Sequence, residues 1–312
     1  MVHQRLPSGS LSRCARKGDA VRFGLVGTGH WARHVHGEAL AAAPEVELVA
    51  VYGRDAGRTA ALAKDLGASP FTNYAAMLEA VDAVAFAVPP DIQAPLACSA
   101  ANAGKHLLLE KPVALRPADG AQLADAVARS GVASVVFFTW RFSPAIRSWI
   151  DEMSSTHWEG ASGQWISAAL SAADSPYVSS AWRRHHGALW DTGPHALSLL
   201  LPLLGPIVDT AAIGGERDLV HAVFTHQSGA TSAAAFTLTA APAAAATELV
   251  LWGPAGRARL PERGARAGDA YRIALTELLD AAATGRPHPC GVSFGREVVE
   301  ILARLDAQLR AR

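Results

Sequence analysis

Hydrophobic positions in the first half of the chain form short, wholly apolar runs separated by helix-like stretches. Such runs predict strands that are buried on both faces. The runs lie at Val21–Val26, Val46–Tyr52, Ala83–Val88, His106–Leu109 and Ala133–Thr139. The stretches between them predict helices over Trp31–Ala43, Ala56–Leu66, Ala94–Ala103 and Pro117–Arg129. This alternation predicts an α/β fold in which helices cover both faces of a parallel sheet.

The pattern changes after residue 140. From Gln164 to Leu251 the segments alternate and are rich in Thr, Val and Ala, as in His221–Thr225 and Ala230–Thr239. Alternation of this kind predicts antiparallel strands with one solvated face. Two helical stretches, Tyr271–Ala283 and Arg296–Leu309, close the chain. We therefore expect a second, α+β domain with a large open sheet.

Chain length and composition fit two globular domains. The 312 residues are 50% hydrophobic and 18% charged, which is enough apolar material for a sizeable core. We expect a loose extension over residues 1–20, a first domain over 21–140 and a second over 141–312. The formal net charge is zero. Without surplus positive charge, neither nucleic acid nor a membrane surface is an expected partner.

The cysteines and the apolar runs bear on the compartment. Cys14, Cys98 and Cys290 are odd in number and far apart, which argues against a disulfide framework and against a cysteine metal site. The longest apolar helix candidate, Ala196–Val208, is too short to span a bilayer and contains two prolines. We expect a cytoplasmic protein.

A glycine-rich turn follows the first strand directly. Gly27 and Gly29 begin the pattern G-x-G-x-x-A, which Ala32 completes at the start of a helix. The first glycine permits a tight turn, the second lets the backbone approach a pyrophosphate, and the helix amides face its charge. In this strand–turn–helix context the motif predicts a Rossmann doubly wound sheet that binds a dinucleotide.

The end of the second strand indicates which dinucleotide. An acidic residue there suits the ribose hydroxyl of NAD, whereas arginine suits the 2′-phosphate of NADP. Gly53 and Arg54 stand at this point, so the sequence favours NADP over NAD. The alternative is a solvated arginine beside Asp55, which would itself cap the next helix.

Two further groups of residues suggest chemistry. Lys111 is one of only four lysines and follows a strand at the edge of the sheet where ligands bind, although a surface lysine is the alternative. Asp191 and His195 are four residues apart and would share one helix face, where an aspartate can orient a catalytic imidazole. In one alternative, Asp191 caps a helix N-terminus and His195 packs into the core. In another, the pair binds a metal together with His185 and His186.

The order of the motifs resembles the glucose–fructose oxidoreductase / inositol dehydrogenase / MocA (Gfo/Idh/MocA) family. The resemblance spans roughly residues 20 to 310 and includes the closing segment 285–305. It rests on GTGHWA at 27–32, EKP at 110–112, RFSP at 141–144, WR at 182–183 and DTGPH at 191–195. It implies a Rossmann domain followed by a domain with an open sheet, and NAD(P)-dependent hydride transfer at hydroxyl or carbonyl carbons. It also implies a homodimer or homotetramer assembled through that sheet.

Carried over residue by residue, the resemblance implies that Lys111, Asp191 and His195 are catalytic. No metal is expected, because no further ligand spacing in the sequence completes a metal site. The resemblance implies that the cofactor is bound by Gly27, Thr28, Gly29, His30, Trp31, Gly53, Arg54, Val88, Pro89, Glu110 and Lys111. The chain departs from the family at two places: Val88–Gln93 stands where the family often has a T-P-N-x-x-H pattern, and Ser198 stands where the family often has an acidic residue. The aromatic residues Trp182 and Trp190 are candidates for a pocket wall or for the core.

The sequence therefore predicts an NADP- or NAD-dependent oxidoreductase that acts on a sugar, a polyol or a related small hydroxy or carbonyl compound. The alternative is a catalytically inactive dinucleotide sensor with the same fold, because a fold does not fix a function. The joint presence of Lys111, Asp191 and His195 favours the enzyme, since a sensor needs none of them.

Overall fold

A computed structural model describes residues 20–311 of the chain. Except for Ala20, the loose extension expected over residues 1–20 lies outside the described residues. Among residues 20–311, no helix is both long enough and apolar enough to cross a membrane.

The N-terminal half forms a six-stranded sheet in which every pairing is parallel. Its order is β3-β2-β1-β4-β5-β6, with β1 at the point where the strand order reverses. The strands are β1 Val21–Val26, β2 Val46–Tyr52, β3 Ser69–Phe71, β4 Ala83–Phe86, β5 His106–Leu109 and β6 Ser134–Val136. This is the predicted doubly wound Rossmann sheet, and in such sheets ligands bind at the carboxyl edge near that reversal.

Helices cover both faces of this sheet. They are α1 Glu38–Ala42, α2 Ala56–Asp65, α3 Tyr74–Ala80, α4 Pro90–Asn102 and α5 Pro117–Ser130. A π-helical turn, Ala32–Gly37, precedes α1. Helix α4 begins before the predicted position because Pro90 stands in its first turn, where proline needs no hydrogen bond from its nitrogen.

The second half forms a six-stranded mixed sheet of order β12-β11-β7-β10-β9-β8. Only β10 and β7 pair in parallel, so the expected open and mostly antiparallel sheet is confirmed. Its strands are β7 Gly160–Ile166, β8 Ile207–Gly214, β9 Val220–His226, β10 Thr231–Thr237, β11 Ala246–Gly253 and β12 Gly256–Arg259.

Four helices connect and cover the two sheets. They are α6 Pro144–Met153, α7 Ala181–Leu204, α8 Ala267–Thr284 and α9 Val292–Arg310. Helices α7 and α9 pack on one face of the second sheet, and α8 and α9 also pack against α1 and α5 of the first unit. The C-terminal helices therefore join the two sheets into one packed structure.

Helix α7 carries two of the candidate catalytic residues. It is longer than the apolar helix predicted over Ala196–Val208, and Val208 belongs to β8 instead. The helix axis breaks at Gly187, whose φ of 67° lies in the left-handed region that favours glycine. Asp191 and His195 follow this break, one turn apart, at the end of α7 that approaches the Rossmann unit.

Candidate active site

The glycine-rich turn has the geometry of a phosphate cradle. Gly27 has a φ of 121°, and a Cβ atom there would lie 2.4 Å from the carbonyl oxygen of Ala87, so only glycine fits. Its amide donates to the Tyr52 carbonyl over 2.9 Å, which ties the turn to β2. At Gly29, by contrast, a Cβ atom would meet no neighbouring atom within 4 Å. The backbone is therefore open to a pyrophosphate at this point.

A cavity of about 470 Å³ lies beside this turn. The end of β2 lines it with Gly53 and Arg54, and the first turn of α2 adds Arg58. Gly53 is required because a Cβ atom would lie 2.4 Å from Thr59 Oγ1. Asp55 caps α2 by accepting a hydrogen bond from the Arg58 amide, so its carboxylate is engaged at the helix end. The wall carries two arginines, of which the sequence indicated only Arg54.

A second cavity, of about 730 Å³, extends from the same turn into the space between the two halves of the chain. Both cavities share Gly29, Arg58, Ala87, Val88 and Pro89, so they form one continuous cleft. The predicted residues that line the second cavity are Gly29, His30, Trp31, Val88, Pro89, Glu110, Lys111, Asp191 and His195. Gly27, Thr28, Gly53 and Arg54 line the first cavity. Every candidate site residue thus lies on this cleft.

The carboxylate of Glu110 is held from three directions. Trp31 Nε1 donates to Glu110 Oε1 over 2.5 Å, and His36 Nε2 lies 2.9 Å from the same oxygen. The Lys111 amide donates to Oε2 over 3.2 Å. Gln93 binds both main-chain groups of Glu110, each over 2.8 Å. These contacts fix the backbone from which the Lys111 side chain projects.

Lys111 reaches across the cleft to Asp191. Its Nζ lies 2.8 Å from Asp191 Oδ1 and 2.8 Å from the Asp191 carbonyl oxygen. The other carboxylate oxygen accepts from Arg183 Nε over 3.0 Å. The Lys111 and Asp191 side chains are only about a tenth exposed. A buried carboxylate is thus shared by two cations, one from each half of the chain.

This arrangement fixes the charge of Asp191. Burial alone would raise the pKa of Asp191, because it disfavours the charged form. The charges of Lys111 and Arg183, together with their hydrogen bonds, outweigh burial and hold the pKa of Asp191 well below its usual range. Asp191 is therefore a fixed anion at neutral pH.

The structure differs from the sequence expectation that Asp191 orients His195. Among the described side chains, Asp191 hydrogen-bonds to Lys111 and Arg183, and no hydrogen bond joins it to His195. The reason is that both carboxylate oxygens are occupied by the two cations. His195 Nδ1 is buried without a hydrogen-bond partner in residues 20–311, so Nε2 is the nitrogen left to face the cavity.

His195 is held in its neutral form. Burial lowers the pKa of His195 well below its usual value, and the positive charge of Lys111 acts in the same direction. Asp191 opposes this effect without cancelling it, whereas Arg263 adds to it. A neutral imidazole beside a lysine ammonium is suited to accept a proton from a hydroxyl group.

Aromatic residues form part of the cavity wall. Trp182 lines the cavity, but Trp190 is buried in the core. The Arg183 guanidinium lies 4.3 Å from the ring centroid of Tyr177 and 4.9 Å from that of Trp182. Tyr177 also approaches Trp31 of the Rossmann unit, with 6.5 Å between ring centroids. The segment before α7 therefore covers the cleft at the glycine-rich turn.

The metal alternative finds no support in the geometry. The rings of His185 and His186 lie 4.7 Å apart. Within residues 20–311, no group of three or more His, Cys, Asp or Glu side chains is arranged to hold a metal ion.

Several cleft residues were missed by the sequence reasoning. Arg58, Tyr177, Arg183 and Arg263 line the cleft, and His36 braces Glu110 from inside the protein. Only Arg183 had a signal, because the pair WR at 182–183 is one of the motifs of the family resemblance. The others come from parts of the chain that only the fold brings together.

Comparisons with known proteins identify the family. The model GFO_IDH_MocA, "Oxidoreductase family, NAD-binding Rossmann fold", matches residues 21–138. A dTDP-3,4-didehydro-2,6-dideoxy-alpha-D-glucose 3-reductase of Streptomyces antibioticus is 30% identical over 77% of this chain and 75% of its own length. The enzyme of the same name from Streptomyces violaceoruber is 32% identical over 60% of this chain, and the alignment spans only 55% of that relative.

Solved structures share the fold over nearly the whole chain. A UDP-N-acetylglucosamine 3-dehydrogenase from Acidithiobacillus ferrooxidans has a TM-score of 0.80 at 22% identity and covers 94% of this chain and 99% of its own. GenD2 from gentamicin A biosynthesis, solved in complex with NAD, has a TM-score of 0.82 at 21% identity, with 97% and 98% covered. With the relatives and the family model, these matches show that the chain belongs to the Gfo/Idh/MocA family of oxidoreductases, with that family's NAD(P)-binding Rossmann fold in its N-terminal half.

Proposed function

We propose that the protein is an NAD(P)-dependent oxidoreductase that interconverts a hydroxyl group and a carbonyl group on a sugar or a related polyol. The observation that carries the proposal is the contact of Lys111 with Asp191 across a cleft that also contains the glycine-rich turn. A dinucleotide binder without catalysis has no need for a lysine, an aspartate and a neutral histidine at the end of that cleft.

Lys111 is proposed to hold the substrate oxygen. Its ammonium uses two hydrogen bonds on Asp191, and an ammonium has more than two N–H donors, so one remains for a ligand. Asp191 and the buried backbone around Glu110 fix the ammonium in place. A fixed positive charge stabilises the oxygen as negative charge develops on it.

His195 is proposed to carry the proton. In the oxidation direction, neutral His195 accepts the hydroxyl proton at Nε2, and in reduction the protonated ring donates it back. The nicotinamide supplies the hydride acceptor or donor. Asp191 and Arg183 have a positioning role, since they hold Lys111 and the local charge rather than the reacting atoms.

The substrate class is supported by the wall of the cavity and by the relatives. Hydroxyl-bearing side chains line it beside the aromatic ring of Trp182, a combination suited to a sugar. These side chains are Thr139, Ser167, Ser179 and Ser180. The similar Streptomyces proteins are named as sugar reductases. Both observations favour a sugar, and neither identifies which one.

NADP is the proposed cofactor. The wall where the adenosine ribose would lie carries Arg54 and Arg58, while Asp55 is engaged in capping α2. Arg58 Nη2 donates to the Thr28 carbonyl over 3.2 Å, which places its guanidinium beside the glycine-rich turn. Two guanidinium groups without an acidic competitor favour a 2′-phosphate.

We propose a homodimer or homotetramer that assembles through the open face of the second sheet. This face exposes apolar side chains near its β8–β9 edge, including Ile213 and Val223, which are 56% and 49% exposed. Exposed apolar patches on a sheet mark interaction surfaces. The cytoplasm is the proposed location, and the free thiols of Cys98 and Cys290 support a reducing compartment.

The proposed function is tested by adding sugars and polyols to the purified protein with NADP or NAD and following the nicotinamide absorbance. Turnover of at least one sugar supports the proposal. Tight cofactor binding without turnover in either direction, across aldoses, ketoses and polyols, would favour the sensor alternative.

A further inference from the structure

Arg263 occupies an unexpected position in the cleft. It lies between β12 and α8, and it lines the same cavity as Lys111 and His195. The Ser143 hydroxyl donates to the Arg263 carbonyl oxygen over 2.5 Å and anchors the backbone. The guanidinium lies 5.6 Å from the ring centroid of Trp140. The backbone of Arg263 is therefore anchored, and its guanidinium lies beside the Trp140 ring.

The guanidinium of Arg263 has no counter-charge in the described part of the chain. Lys111 and Arg183 share the carboxylate of Asp191, but no carboxylate of residues 20–311 forms an ion pair with Arg263. Glu110, the other described carboxylate that lines the cavity, is occupied by Trp31, His36 and the Lys111 amide.

The charge of Arg263 is partly removed from water. Burial lowers the pKa of Arg263, which reports a partly desolvated cation. Its charge also reaches His195, whose pKa it helps to lower. A cation held without a partner in a cavity is a site prepared for an anion.

We propose that Arg263 binds an anionic group, a carboxylate or a phosphate, on the sugar substrate. This inference rests on the proposed function, because it assigns a substrate class to the same site. A guanidinium binds either anion through two parallel hydrogen bonds. Arg263 and His195 line one cavity, so a single small molecule can place its anionic group at Arg263 and its reacting carbon at His195.

The test compares matched sugars. Glucose, glucuronate and glucose phosphorylated on its primary alcohol differ only in the anionic group, and the two anions separate the carboxylate from the phosphate. Each is assayed for kcat/KM and for equilibrium binding to the NADPH-loaded protein. The variants are Arg263→Gln, which removes the charge, and Arg263→Lys, which keeps the charge but loses the planar fork.

Arg259→Gln is the matched control, since Arg259 is exposed on β12 and does not line the cavity. We expect the wild type to prefer one of the two anionic sugars over glucose. At a pH above the acid limb of His195, Arg263→Gln should lower binding and kcat/KM for that sugar roughly 10- to 100-fold, as expected for hydrogen bonds to a charged group, and leave glucose unchanged. Arg263→Lys should recover only part of the loss, and Arg259→Gln should behave as the wild type.

The outcomes separate this inference from the proposed function. The anion site would be overturned if the wild type turned over glucose as well as both anionic sugars, or if Arg263→Gln lost the same activity with all three sugars. Either result would leave the proposed oxidoreductase function standing. Weaker NADPH binding in Arg263→Gln would assign the arginine to the cofactor and also overturn it. Binding of an anionic sugar that depends on Arg263, without turnover of any sugar, would support the anion site and count against the enzyme. Absence of Arg263-dependent binding of either anion would refute the inference.

Discussion

Replacing Lys111 with methionine removes the ammonium and keeps most of the side-chain volume. In the structure, this ammonium makes two hydrogen bonds of 2.8 Å, to the carboxylate and to the carbonyl oxygen of Asp191, and these hold it in place. Loss of one fixed donor to a developing oxyanion costs about 10²- to 10³-fold in kcat. We expect a loss of at least this size, because Lys111 also positions the substrate.

The same variant should stay folded and keep its cofactor. Asp191 retains Arg183 at 3.0 Å, so no buried charge is left without a partner. The cost in stability should therefore be about 1–3 kcal/mol, less than the ~3–5 kcal/mol expected when a buried charge loses its only partner. The glycine-rich turn is untouched, so NADPH affinity should change little.

The assay compares turnover, NADPH binding and urea unfolding for Lys111→Met with those of Lys105→Met. Lys105 is the matched control because its Nζ donates to the Val81 carbonyl over 2.8 Å and it lies outside the cleft. Lys105→Met should retain near-normal turnover. A folded Lys111→Met variant with turnover within tenfold of the wild type would refute the role of the lysine.

Three further predictions concern the other charged residues of the cleft. Asp191→Asn leaves Lys111 and Arg183 without their shared anion and should destabilise the fold by about 3–5 kcal/mol at neutral pH. The pKa of Asp191 is depressed in the folded state, so the carboxylate contributes its full stability above the unfolded pKa of about 3.9 and loses it as the pH falls further. Urea unfolding at several pH values measures the difference in stability between Asp191→Asn and the wild type. A difference that already disappears near neutral pH would contradict this prediction. Burial and Lys111 lower the pKa of His195, so kcat/KM for oxidation should fall only below about pH 6.5. In Arg263→Gln this fall should begin at a higher pH than in the wild type, because one positive charge near His195 is lost. A wild-type kcat/KM that already falls above about pH 6.5 would contradict the role of His195 as the base. Arg58→Ala should lower kcat/KM with NADP about tenfold or more and leave the value with NAD unchanged, whereas equal losses with both cofactors would show that Arg58 does not read the 2′-phosphate.

Local patterns predicted five of the six strands of the first sheet. The strand Val21–Val26 and the glycine-rich turn after it are encoded within a dozen residues, and the structure has both at the predicted positions. Strand β3 was missed because Ser69–Phe71 is too short and too exposed to give an apolar signal. The sequence pattern predicts that helix α4 begins at Ala94, whereas it begins at Pro90, because proline is accommodated in the first turn of a helix.

The sequence predicted only those residues of the candidate site that belong to recognisable motifs. Lys111, Asp191 and His195 stand out in the sequence, but spacing along a helix suggested that Asp191 pairs with His195. In the structure Asp191 pairs with Lys111, which is 80 residues away in the chain. Arg263 gave no signal at all, because its place beside the cavity depends on how the segment after β12 returns to the Rossmann unit.

The central claim is that this cleft transfers hydride between a nicotinamide cofactor and a sugar carbon. The most direct measurement uses NADPH labelled with deuterium at the reactive nicotinamide carbon, a panel of keto sugars and mass spectrometry of the products. The wild type should move the label onto a sugar carbinol carbon, and Lys111→Met should do so at least about 10²-fold more slowly. Label that stays entirely on tightly bound cofactor, with every keto sugar recovered unchanged, would contradict the claim.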